Sequence, residues 1–81
     1  MAEEVLAPLA GNIWKITVEV GTTVEEDDEI LIIEAMKMET PVYAPCGGRI
    51  AEIRVKEGDA VEEDDVLVVI VDQTELKAVL T

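Results

Sequence analysis

The residues of this chain that could carry chemistry stand in one short stretch, Glu34-Ala35-Met36-Lys37-Met38. A lysine amine can be acylated, and acylation removes its positive charge. Lys37 stands between two methionines, and none of Lys15, Lys56 and Lys77 does. Lysine is ordinary at a surface turn, and methionine commonly fills gaps in cores. Two methionines at a solvent-facing turn expose apolar surface without benefit unless something else binds it. Other chemistry is quickly bounded. The chain has no histidine, which excludes imidazole acid–base catalysis and His-ligated metals. Its one cysteine, Cys46, rules out an internal disulfide and a Cys-only zinc site. Beside Gly47, with no cation next to it in sequence, Cys46 reads as a small turn or core residue. The acidic runs Glu25-Glu26-Asp27-Asp28 and Glu62-Glu63-Asp64-Asp65 suggest calcium at first sight. An EF-hand loop needs ligands on alternate residues around a central glycine, so these runs read as solvated turns. No Gly-rich phosphate cradle is present, so the chain reads as something acted upon and not as an enzyme.

Eighty-one residues make one domain, taken as 1–81 with a core at about 4–72 and a tail at 73–81. At 49% hydrophobic residues the chain can bury enough surface to fold. Its net charge of −13 argues against nucleic acid and anionic membranes, whose affinity rests on clustered Lys and Arg. No basic segment followed by an apolar run opens the chain, and Val66–Val71 is far too short to span a bilayer. The expectation is a soluble, cytoplasmic domain with no metal, no nucleic acid partner and no membrane insertion.

The elements that must position Lys37 come from a duplication. Val5-Leu-Ala-Pro-Leu-Ala-Gly-Asn-Ile lies without a gap on Val42-Tyr-Ala-Pro-Cys-Gly-Gly-Arg-Ile. The same offset carries Ile16 onto Ile53, Gly21 onto Gly58, Val24 onto Val61, and the first acidic run onto the second. About half of the positions from Val5 to Ile33 match, which marks an internal repeat of two units sharing one core. Each unit reads as strands. Ile13, Ile16, Val18 and Val20 are β-branched, as are Ile50, Ile53 and Val55. Ile30–Ile33 and Val66–Val71 are short apolar runs suited to buried strands. Turn residues recur at even spacing, with Gly21 and Gly58 expected at positive φ and Asp27 and Asp64 in left-handed or bridge turns. The pattern predicts an all-β flattened barrel or sandwich with no helix longer than a turn.

The units diverge most just after Ile33. There the first reads Glu34 to Thr40, while the second reads Val71-Asp72-Gln73-Thr74-Glu75-Leu76-Lys77 and has no return strand matching Pro41 to Pro45. In a duplicated scaffold, divergence at one loop is where function is expected, because the other copy keeps the fold. Lys37 should therefore lie at the tip of a hairpin.

These residues resemble the attachment motif of biotinyl domains, the carboxyl carriers of biotin-dependent carboxylases and decarboxylases. The resemblance runs from about Val5 to Asp72. It includes the Pro8…Gly11 and Pro45…Gly48 pairs and the Gly21…Val24 and Gly58…Val61 turns. It implies a barrel-sandwich hybrid of two quasi-symmetric halves, with biotin in amide linkage to Lys37 at a hairpin tip. Met36 and Met38 would be read by biotin protein ligase, with Ala35 and Glu34 completing the motif. The implied partners are that ligase, a biotin carboxylase, and a carboxyltransferase or decarboxylase subunit. Many relatives have Gly where this chain has Asp27 and Asp64. An inserted thumb loop found in some carriers has no room in the gapless repeat. The sister lipoyl domains of 2-oxoacid dehydrogenase-type complexes share the fold but usually show Asp-Lys-Ala or Asp-Lys-Ser at the lysine. A non-catalytic adaptor module of the same fold is the other alternative.

Overall fold

The computed structural model describes residues 2–71, and every described element is a strand, a turn or a connection between them. The eight strands are β1 (Ala2–Leu6), β2 (Gly11–Ile16), β3 (Thr23–Val24), β4 (Glu29–Ala35), β5 (Met38–Tyr43), β6 (Gly48–Ile53), β7 (Ala60–Val61) and β8 (Val66–Val71). They form two four-stranded sheets, ordered β1-β8-β6-β3 and β5-β4-β2-β7, with antiparallel pairing throughout. The repeat explains this order. Its offset exchanges β1 with β5, β2 with β6, β3 with β7 and β4 with β8, so each sheet is the image of the other. Each sheet mixes strands of both units, and neither unit can close its own sheet. The expected all-β barrel-sandwich of two quasi-symmetric halves is the fold observed.

The core is an aliphatic layer between the sheets. Ile13, Ile30, Leu31, Ile33, Ile50, Leu67, Val68 and Ile70 are fully buried, and among the described residues no polar or charged residue is buried with them. The central strands β4 and β8 supply six of these eight side chains, as their short apolar runs require. Cys46 packs against this layer from a partly buried position.

Paired hydrogen bonds lock the two units to each other. The Asp27 N–H donates to the Ala44 carbonyl at 2.9 Å, and the Ala44 N–H donates to the Asp28 carbonyl at 2.8 Å. Their images run from Asp64 N–H to the Ala7 carbonyl and from Ala7 N–H to the Asp65 carbonyl, both at 2.8 Å. The acidic turn of one unit thus grips the Ala-Pro segment of the other, which explains why both motifs recur together. Asp27 and Asp64 take φ of 73° and 72°, and Gly21 and Gly58 take 96° and 95°, as expected. The acidic carboxylates shape the turns. Asp28 Oδ2 accepts from the Glu25 N–H at 2.9 Å and Asp65 Oδ2 from the Glu62 N–H at 2.8 Å.

Two details differ from expectation. Val18, Val20 and Val55 lie outside strands, and Val20 is exposed. A bulge between Ile13 and Lys15 disturbs the ladder of β2. At the strand's end the Ile16 N–H donates to the Glu57 carboxylate at 3.0 Å, and the next N–H, that of Thr17, donates to the Ile30 carbonyl of β4 at 2.9 Å. The short strands β3 and β7 occupy segments whose Gly…Val pattern suggested turns alone. The tail 73–81, including Gln73-Thr74-Glu75, and the core's expected end at Asp72 lie outside the described residues.

Candidate functional site

β4 and β5 form a hairpin whose register pairs Ile33 with Thr40, Glu34 with Glu39 and Ala35 with Met38. Met36 and Lys37 are therefore the two central residues of its turn. Their φ values are 53° and 65°. Positive φ at both central residues is the type I′ geometry, whose twist matches that of the flanking strands. Hairpin geometry dictates this conformation, but the side chains do not favour it. Type I′ turns are dominated by Asn-Gly and similar pairs, and an L-residue in the left-handed region costs about 1–2 kcal/mol. Of the four non-glycine residues with positive φ among those described, Asp27 and Asp64 are of a type that tolerates it, while Met36 and Lys37 are not. A costly local choice held in place by a rigid surround marks a site retained for something other than stability.

The tip presents the motif to solvent. Met36 is 95% exposed and Met38 70%, so neither fills a gap in the core. Lys37, Glu34 and Glu39 are exposed as well, and Ala35 is half-buried. Among the described residues the one ion pair joins Arg54 to Glu52 at 3.5 Å, on the other sheet, leaving the Lys37 amine unpaired within that set. Lys15 also stands between apolar residues, Trp14 and Ile16, but it lies at the β2 bulge within a strand and not in a turn. All five expected residues, Glu34 to Met38, are thus gathered on one hairpin end. Among the described residues no group of three or more acidic or cysteine side chains is placed to hold a metal.

The support beneath the tip is stiff. β4 pairs with β2 on its other side, where Asn12 faces Glu34 and Ile13 faces Ile33. Gly11 makes this close approach possible. A Cβ there would stand 2.5 Å from the Glu34 carbonyl oxygen and 2.7 Å from Ile33 Cγ2. Sequence reading missed one asymmetry. The chain's two aromatic residues, Trp14 and Tyr43, are both about half-exposed and both lie on the sheet that carries the hairpin. Under the repeat their counterparts are Ala51 and Leu6, a difference that the alignment of the units already contained.

Comparison with known proteins bears on this arrangement. The family model described as "Biotin-requiring enzyme" matches residues 3–70. The chain is 47% identical over 34 residues to a biotin/lipoyl attachment protein of Bacillus subtilis, covering 42% of this chain and 47% of that one. It is 54% identical over 37 residues to the methylmalonyl-CoA carboxyltransferase 1.3S subunit of Propionibacterium freudenreichii subsp. shermanii, covering 46% of this chain and 30% of that one. Among solved structures, Kluyveromyces lactis urea carboxylase superposes with a TM-score of 0.83 at 42% identity, over 88% of this chain and 6% of that one. The matches to these two curated relatives cover less than half of either relative's length.

Proposed function

The chain belongs to the biotin/lipoyl family of biotin-requiring enzymes, and from that premise we propose that it is a biotin carboxyl carrier whose biotin is joined to Lys37. The observation that carries the reading is the turn itself. Met36 and Lys37 form a strained two-residue hairpin tip with Met38 directly after it, and both thioethers and the lysine are in water. The tip fits an amide-linked prosthetic group, because the amine stands clear of the core and no described residue pairs with it.

Bound biotin supplies a ureido nitrogen that takes up and gives back a carboxyl group. The chain's own residues do the rest. Forming the amide takes protons from the lysine nitrogen, and the partner ligase has to accept them, since acylation removes the side chain's charge. Met36 and Met38 offer the ligase apolar contacts on both sides of the amine. The paired strands β4 and β5, stiffened by β2, hold the arm away from its own domain. A tether of this kind raises the cofactor's concentration at each partner site far above its bulk value. The net charge of −13 keeps the carrier soluble and favours basic clefts on its partners. Those partners are biotin protein ligase, a biotin carboxylase, and a carboxyltransferase or decarboxylase. They hold the active sites, and the chain is cargo-bearing rather than catalytic. The named carboxyltransferase and carboxylase relatives support this assignment.

The test is acylation of Lys37→Arg. With purified biotin protein ligase, biotin and ATP, the parent should gain one biotinyl mass and the variant none. The variant's stability should stay within about 0.5 kcal/mol of the parent's, as for surface changes generally. Labelling of the variant would refute the assignment.

A further inference from the structure

The bracket that presents Lys37 is also the most exposed sulfur of the described chain. Met36 is 95% exposed and Met38 70%, and neither belongs to the core cluster. A thioether in water is open to two-electron oxidation, whereas one packed in a core is shielded by its neighbours. Because these two are outside the core, a sulfoxide at either would break no packing and bury no polar group. The same change would be felt by any surface that grips the methionines through apolar contact, since each new S=O would need a hydrogen-bond partner there.

We propose that Met36 and Met38 form a reversible oxidation site that controls acylation of Lys37, with hydrogen peroxide as the oxidant. The sulfur lone pair attacks the peroxide O–O bond. One oxygen becomes bonded to sulfur, the other leaves as water, sulfur is oxidised by two electrons and the peroxide is reduced. A methionine sulfoxide reductase reverses the step, its two thiols closing to a disulfide as the oxygen departs as water. The fold is indifferent to the modification, while recognition of the tip is not. The inference rests on the reading that a ligase acylates Lys37 and contacts both methionines.

The experiment uses the full chain before biotinylation. Peroxide treatment is followed by peptide mass mapping, circular dichroism, and the initial rate with purified biotin protein ligase, biotin and ATP. The expected result is an added oxygen on each of Met36 and Met38, an unchanged thermal transition, and kcat/KM lowered at least about tenfold. Treatment with the reductases for both sulfoxide epimers should restore the rate. A Met36→Leu, Met38→Leu variant, which keeps apolar bulk without sulfur, should not respond to peroxide. That arm also separates the tip from oxidation of half-exposed Trp14. An unchanged rate in the doubly oxidised parent, or an equal loss in the leucine variant, would overturn the inference while leaving Lys37 as the attachment site. Failure of the untreated chain to accept biotin would instead overturn the underlying reading, and this one with it.

Discussion

The strained turn makes a quantitative claim that stability measurements can check. Met36 and Lys37 hold φ of 53° and 65°. Each residue there carries about 1–2 kcal/mol of left-handed cost. Glycine removes that cost but loses about 0.5–1 kcal/mol through the greater freedom of the unfolded chain. The net gain at one position is then about 0.5–1 kcal/mol. Little packing is lost in exchange, because Met36 is 95% exposed. Met36→Gly, which keeps the lysine and the net charge, should therefore stabilise the domain by about 0.5–1 kcal/mol. The Met36→Asn, Lys37→Gly double variant installs the preferred type I′ pair and should gain about 1–2 kcal/mol. In a domain of this size each kcal/mol raises Tm by about 4–8 °C. Urea unfolding followed by circular dichroism reads the gain as a higher midpoint with an unchanged slope. The same variants should lose biotin acceptance, Met36→Gly by slower acylation and the double variant completely. If both unfold at or below the parent's midpoint, the left-handed tip carries no cost here and cannot mark a site kept for function.

Three further outcomes follow from the same geometry. Met36→Ala and Met38→Ala should each cost less than about 1 kcal/mol, against about 2–5 for a buried methionine, which denaturant titration distinguishes. Gly11→Ala should destabilise by about 1–3 kcal/mol, because its Cβ would meet the Glu34 carbonyl and Ile33 across the β2–β4 pair. Its image Gly48→Ala, meeting the Val71 carbonyl and Ile70, should cost a similar amount, and thermal melts of the pair test the symmetry directly. Asp28→Ala and Asp65→Ala each remove a carboxylate that accepts a turn N–H, and each should lower stability by about 0.5–1.5 kcal/mol in equilibrium unfolding.

The sequence alone determined the duplication, and with it much of the fold. A repeat of two units with short β-branched runs and evenly placed turns must pair its halves, since one unit of this size cannot bury its own apolar face. Gly21, Gly58, Asp27 and Asp64 announced their turns because few residue types tolerate positive φ. Lys37 was legible because the units diverge there and because two methionines flank it. What the sequence did not disclose is how the halves interlock. That β1 pairs with β8, and that each sheet takes strands from both units, depends on contacts between residues far apart in the chain, which local pattern does not encode. The end of β2 at Ile16 is of this kind as well. Ile13, Ile16, Val18 and Val20 all read as β-branched strand residues, yet the strand ends at Ile16, whose N–H goes to the carboxylate of Glu57, distant in sequence. The left-handed Met36-Lys37 turn is the clearest case. Neither residue prefers that backbone, so only the register of β4 against β5, held by the core beneath, could impose it.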